Sequence, residues 1–273
     1  MTCGCPVHPC LPCGEVIKML THHNGELVPD QELKELRGWT IPVLDYGYVR
    51  LVDWFGTDGR ICESARISYK SPSKGDDADK KLIAYLWKNK HTSPFEQVSI
   101  TYNIKLPLFV QGQMVRHRTQ RLNQVSSRYT EMTEEFYIPK EWRKQDTKNK
   151  QGSVQESNWN PMLSYGDLSV NATSDLKRHC DACYTVYKKM IEAGVAREMA
   201  RVVLPQNLYT EIYSNWDLNN LTRFFTLRMD THAKWEIRQY AEAMYEIAKK
   251  LYPWTIAAYD RYKWNLVDLD ENK

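Results

Sequence analysis

A chain of 273 residues can bury a sizeable core in one large domain or two small ones. With 42% hydrophobic and 12% aromatic residues it reads as folded, not disordered, and a formal net charge of +3 is too weak to argue for nucleic acid by bulk charge. No run approaches the ~18 apolar residues of a membrane helix, and the N-terminus lacks the apolar segment of a signal peptide, so the chain reads as cytoplasmic with no membrane partner.

Seven cysteines, an odd count in an unexported chain, argue against a disulfide framework. Cys3, Cys5, His8, Cys10 and Cys13 offer enough soft donors for a tetrahedral zinc site, but the loop between ligand pairs is very short. The expectation is a flexible, reduced tail and no metal. Cys180 and Cys183 lie three apart in a helical pattern, which places both thiols on one face and points to packing.

In chain order, residues 1–45 read as an N-terminal extension, 46–262 as one folded domain and 263–273 as a tail. Residues 48–55 are rich in β-formers and predict a strand, followed by a turn over 56–59 and helices over 60–68 and 76–89. Pro94 predicts a tight loop over 91–96 with Ser93 extended. Val98, Ile100, Tyr102, Ile104 and Leu106 alternate with polar residues and predict a strand half-buried on one face. Pro107 suits a helix start, and 108–115 follow as a helix. Residues 144–157 read as a solvated excursion, 174–200 as a long helix stopped by Pro205, and 209–216 as β-leaning. A second long helix is expected over 218–251, carrying Arg228 and His232 on one face.

The helix at 108–115 leads into Arg116-His117-Arg118-Thr119-Gln120-Arg121-Leu122-Asn123-Gln124-Val125-Ser126-Ser127-Arg128-Tyr129. Arginine offers a planar fork of donors suited to phosphate and carboxylate and stays charged at any working pH. On composition alone, a solvated basic turn closing a helix is an equal reading. Arg201 and Arg228 sit in apolar helical contexts and need a partner there; Glu198 and Asp230 are the nearest acidic candidates for internal ion pairs.

The order Arg116-His117-Arg118, seven residues, then Ser126 with Arg128-Tyr129 resembles the RHR-x7-S signature of the flavin-dependent thymidylate synthases. The resemblance runs upstream to His91-Thr92-Ser93-Pro94-Phe95-Glu96 and Gln113, and downstream to Arg201-Val202-Val203-Leu204-Pro205 and Leu227-Arg228. It implies an α+β fold with a central, mostly antiparallel sheet and long helices, the thymidylate synthase-complementing protein fold. It also implies a homotetramer with active sites at subunit junctions. The implied reaction is reductive methylation of deoxyuridine monophosphate (dUMP), with methylenetetrahydrofolate as carbon donor, FAD as cofactor and NADPH as reductant.

By the same resemblance, Gln113, Met114, Val115, Arg116, Gln124, Val125, Ser126, Ser127, Arg128, Arg201 and Arg228 hold the nucleotide. Ser93, Arg116, His117, Arg118, Gln124, Asp217, Leu218, Asn219 and Arg223 hold the flavin, and His91 lies near its ring system. Arg228 is the residue expected to stabilise charge on the pyrimidine in the chemical step, with His91 as the second catalytic candidate. No serine–base–acid set surrounds Ser126, so an activated serine is not supported.

Four residues depart from the family pattern, two of them in the arginine loop. Arg121 stands where Ser is usual and Gln124 where Glu is usual, making the loop more positive by two charges. Asp217 and Arg223 also differ from the usual residues. An amide donates as well as accepts, whereas a carboxylate only accepts, so base preference and flavin affinity are open at this point. Hydroxymethylation of a pyrimidine deoxynucleotide on the same fold is the near alternative. A nucleic-acid-binding module using the arginine loop is the distant one.

Overall fold

In a computed structural model, the structure describes residues 30–150 and 152–262. The Cys3 to Cys13 run and the tail at 263–273 lie outside the described residues.

The centre is a five-stranded antiparallel sheet in the order β1-β2-β3-β9-β4. Its strands are β1 (Thr40–Val43), β2 (Gly47–Phe55), β3 (Ser99–Pro107), β4 (Arg121–Gln124) and β9 (Tyr209–Asp217). Helices α1 (Asp30–Glu35), α2 (Asp58–Arg66), α3 (Asp76–Lys88), α4 (Leu108–Met114), α5 (Ala172–Glu192), α6 (Arg197–Ala200), α7 (Leu218–Arg228), α8 (Trp235–Leu251) and α9 (Pro253–Arg261) complete the main body. The α+β architecture with a mostly antiparallel sheet is the one expected, and β2, α3, β3 and β9 fall where the residue patterns placed them. β1 draws residues 40–43 into the sheet, although they stand in the stretch read as an extension.

β3 shows why the sheet forms. Ile100, Tyr102, Ile104 and Leu106 are fully buried, while Ser99, Thr101 and Lys105 between them are only half-buried. Asn103 breaks the alternation: it is buried because its side chain accepts from Tyr48 Oη at 3.0 Å and donates to Glu211 Oε1 at 2.8 Å. Tyrosines tie the helical layer and the sheet together through backbone carbonyls. Tyr102 donates to Met244 O at 3.1 Å, Tyr240 to Lys105 O at 2.9 Å and Tyr252 to Phe55 O at 3.1 Å. Gly47 is required at the Tyr240 contact, since a Cβ there would stand 2.1 Å from the phenol oxygen. Trp87, Phe95, Trp216, Phe224 and Phe225 fill the space between layers, and truncating one such ring costs about 3–5 kcal/mol. A smaller core of Met132, Phe136, Cys180, Tyr187, Ala200 and Leu208 seats α5; there Cys180 is a buried packing thiol beside Asn207.

Several expected elements end differently. The long helix over 174–200 starts earlier, capped by the Asn171 side chain, and stops at Glu192, because Gly194 takes φ +85°. The helix over 218–251 is two helices: α7 ends at Arg228, and Asp230 Oδ1 takes the His232 backbone N–H at 2.7 Å, turning the chain before α8. Arg228 and His232 therefore do not share a helical face. Pro253 begins α9, where its missing N–H costs nothing. Asp58 and Gly59, expected in a turn, open α2, and the Asp58 carboxylate accepts from Trp254 N, Thr255 N and Thr255 Oγ1. Ser93 opens a single 3₁₀ turn (Ser93–Gln97) with Pro94 in its first turn, and is not extended. The excursion at 144–157 holds an exposed hairpin of β5 (Arg143–Gln145) and β6 (Ser153–Gln155), and β7 (Met162–Tyr165) pairs with β8 (Leu168–Asn171) beyond it. Among the described residues no helix is long and apolar enough to cross a membrane.

Candidate active site

The arginine stretch is a turn followed by an edge strand. α4 ends at Met114, whose carbonyl accepts from His117 N at 3.1 Å and from Gln120 Nε2 at 2.7 Å. Gln120 Nε2 also reaches His117 O at 3.1 Å, and Ser214 Oγ donates to Gln120 Oε1 at 2.7 Å. One amide thus fastens the turn that carries Arg116, His117 and Arg118 to the middle of β9. The sequence reading missed Gln120 because its partners are backbone atoms and a serine on another strand. β4 follows, pairing Arg121 with Asn215 and Gln124 with Ile212, and its four residues are exposed.

Two arginine sites result. In the first, Arg228 at the last turn of α7 donates through Nε to His117 Nε2 at 3.0 Å. His117 lies edge-on to Phe224, centroids 4.9 Å apart, with Trp216 at 6.1 Å. Burial, then the neighbouring Arg228 cation, pushes the His117 pKa down to about 4, so the ring is neutral at working pH and can accept. Burial also lowers Arg228. Asp230 does not pair with Arg228; its carboxylate faces His232 at 2.8 Å. The terminal guanidinium nitrogens of Arg228 have no partner among the described residues.

In the second site, Arg201 donates to Ser127 Oγ at 2.8 Å and to the Glu198 carbonyl at 3.3 Å. The Glu198 carboxylate pairs with Arg128 at 3.0 Å, not with Arg201 as the ion-pair reading expected. Ser126 Oγ accepts from Arg128 N at 3.3 Å and is joined to no base among the described residues. These groups open on a cavity of about 310 Å³ lined by Gln124, Val125, Ser126, Ser127, Arg201 and Thr210, with Leu108, Met132, Leu204 and Leu208 as its apolar wall. Gln124 is braced on both sides, accepting from Gln111 Nε2 at 2.8 Å and donating to Thr210 Oγ1 at 3.1 Å. Arg121 donates to Asn215 Oδ1 at 3.0 Å.

Asp217 caps α7 by accepting from Asn220 N at 2.9 Å. Asn219 donates to Glu96 Oε1 at 2.9 Å, which joins the start of α7 to the turn that begins at Ser93. Asn219 Oδ1 and Gln113 Oε1 are buried polar atoms without a hydrogen-bond partner among the described residues. Met114 and Leu218 put their side chains into the core, leaving only backbone to face a ligand, whereas Val115, Arg116, Arg118 and Arg223 are exposed. His91 is exposed, edge-on to Tyr85 at 5.9 Å, and among the described residues it makes no hydrogen bond or ring contact with the Arg228–His117 pair.

A family model described as thymidylate synthase complementing protein matches residues 50–254. The chain belongs to that family. A flavin-dependent thymidylate synthase of Treponema denticola is 46% identical over 228 residues, covering 83% of this chain and 84% of the relative. One of Thermus thermophilus is 46% identical over 223 residues, covering 82% and 79%. Among solved structures, the UMP/dUMP methylase PolB of Streptomyces cacaoi bound with 5-Br dUMP superposes with a TM-score of 0.70 at 26% identity, covering 81% of this chain and 98% of that one. The chain keeps the expected fold, with Gln124 to Ser127 and Arg201 on one cavity and Arg228 bonded to His117.

Proposed function

We propose that this protein reductively methylates dUMP to thymidylate, with FAD as cofactor, methylenetetrahydrofolate as carbon donor and NADPH as reductant. The observation that carries the reading is the cavity whose polar wall combines Arg201, Ser126 and Ser127, a donor set suited to a phosphate monoester. The relatives are named flavin-dependent thymidylate synthases, and PolB was captured with a dUMP analogue.

The residues present fit a flavin dinucleotide. Arg116, Arg118 and Arg223 are exposed and carry no ion pair among the described residues, matching an anionic diphosphate. Asn219 Oδ1, buried beside the Ser93 turn and without a partner among the described residues, is an acceptor suited to a donor of the cofactor. In this reading Ser93, Arg116, His117, Arg118, Gln124, Asp217, Leu218, Asn219 and Arg223 hold the cofactor, and His91 sits near its ring system. Reduced flavin supplies the hydride that completes the methyl group.

The chain's own contribution is placement and charge. Arg201, Arg128 and the Ser126–Ser127 turn hold the phosphate, and Gln113 offers its orphaned oxygen to the same ligand. Arg228 faces the pyrimidine with its terminal nitrogens while neutral His117 fixes its Nε. A fixed cation there stabilises negative charge that grows on the ring as its carbon becomes nucleophilic, an effect realised in the transition state. Exposed Leu122, Val125 and Tyr213 around the open edge of β4 support assembly into a homotetramer that covers this edge. The reduced cysteines suit a cytoplasmic setting.

The test is an absorption spectrum of the purified protein followed by product mass after incubation with dUMP, methylenetetrahydrofolate and NADPH. The expected result is bound flavin and a product heavier than dUMP by one methylene. Absence of flavin absorption, even after FAD is added, sinks the reading. A hydroxymethyl mass would replace it with the alternative product.

A further inference from the structure

Thr210 sits near the start of β9, paired with Leu106 of β3, and is 4% exposed, yet it lines the cavity. A hydroxyl carries one donor and two acceptor sites. Thr210 Oγ1 accepts from Gln124 Nε2 at 3.1 Å, and its own proton goes to no acceptor among the described residues. The direction of this bond is set one residue further out, where Gln111 Nε2 donates to Gln124 Oε1 at 2.8 Å and so turns the amide nitrogen towards Thr210. The chain Gln111, Gln124, Thr210 therefore passes a donor inward and ends on an unused O–H at the cavity wall. A carboxylate at 124 would do the reverse, because it can only accept and would take the threonine proton for itself.

We propose that Thr210 is a specificity-determining residue whose hydroxyl donates to an oxygen of the bound pyrimidine nucleotide, with Gln111 as a positioning residue acting through Gln124. The proposal rests on the reading of the cavity as the dUMP site. A buried donor left without an acceptor is costly, so ligands that supply an oxygen at this point are favoured over ligands that do not. Selection here depends on the direction of the hydrogen-bond chain and not on its net charge.

The experiment measures dUMP dissociation constants by calorimetry for the flavin-loaded protein and its variants, with melting temperatures alongside. Thr210→Val is expected to weaken dUMP about tenfold, and Thr210→Ser to restore most of the affinity. Gln124→Glu should weaken binding too, and in that background Thr210→Val should cost nothing more, since the proton is already withdrawn. Gln111→Glu offers a check that leaves the cavity lining untouched: its carboxylate accepts from Gln124, turns the amide round, and should likewise abolish the Thr210→Val penalty. Repeating the Thr210→Val comparison with 2-deoxyribose 5-phosphate locates the acceptor: a persisting penalty places it on the sugar phosphate, a vanished one on the base. Unchanged dUMP affinity in Thr210→Val, or the same tenfold penalty in all three backgrounds, overturns the proposal. A wild-type protein that binds no dUMP sinks the dUMP reading and this proposal together.

Discussion

Arg228 and Arg201 are both candidate arginines outside the arginine stretch, and they are built differently: Arg201 lines the cavity, and Arg228 is bonded to His117. Arg228 ends the eleven-residue helix α7, half-buried, and among the described residues its side chain has one partner, the neutral imidazole of His117, which itself packs on Phe224 and Trp216. Arg201 stands on a short 3₁₀ turn, exposed, and bonds a serine hydroxyl and a carbonyl. A cation held in a drier, aromatic setting acts more strongly on charge that develops near it, whereas an exposed one is screened by water and salt. The first arrangement suits a change in charge during reaction, the second a charge that is present throughout.

The largest expected effect breaks or upholds that contrast directly. Arg228→Ala should retain flavin but lose about 10²–10³ in single-turnover oxidation of reduced flavin at saturating dUMP and folate. Arg228→Lys should recover only part of the rate, since the planar fork is gone. If Arg228→Ala turns over as fast as wild type and differs only in nucleotide affinity, the two arginines are alike. Next in size, Arg201→Ala should weaken dUMP about 10- to 100-fold while the saturated rate changes little, measured as a KM-against-kcat split.

A pH experiment sharpens the buried side. The His117 pKa falls from an ordinary 6.5 to about 4 on folding, so between those values the unfolded chain binds the proton more readily. Stability from this group is complete above about pH 6.5 and is lost as pH falls towards 4. Buried Asp58 has the opposite sign: burial raises it from 3.8 to about 6, so acidification through 6 relieves the folded state. Urea midpoints at pH 7 and pH 5 should therefore drop less in His117→Phe than in wild type. An equal drop in both would show that His117 does not carry the acid sensitivity. The smallest effect belongs to the exposed pair of Arg128 and Glu198: Glu198→Gln should shift stability by no more than about 1 kcal/mol in a thermal melt. Raising salt should weaken dUMP binding severalfold at the Arg201 side and leave the single-turnover rate nearly unchanged.

The strands and helix faces were legible in the residues themselves. Alternation from Val98 to Leu106 specifies β3, because a period of two buries one face whatever the partner strand. The arginine stretch and its spacing to Ser126 likewise marked a region of which Gln124 to Ser127 line the cavity. What the chain could not show locally was how long a helix runs or who bonds whom. The breaks at Gly194 and at Asp230 depend on a single backbone angle and one side-chain turn inside otherwise helical patterns. Arg228's partner is His117, 111 residues away in sequence, and the acidic neighbours Asp230 and Glu198 are taken by His232 and Arg128. Gln111 and Thr210 carried no motif at all; only the antiparallel pairing of β4 with β9 brings them to either side of Gln124. Local periodicity decided which surfaces are buried, because burial of apolar area is additive along a strand or helix. Hydrogen-bond partners were decided by tertiary structure, because a directional bond of about 3 Å needs two groups that only folding places together.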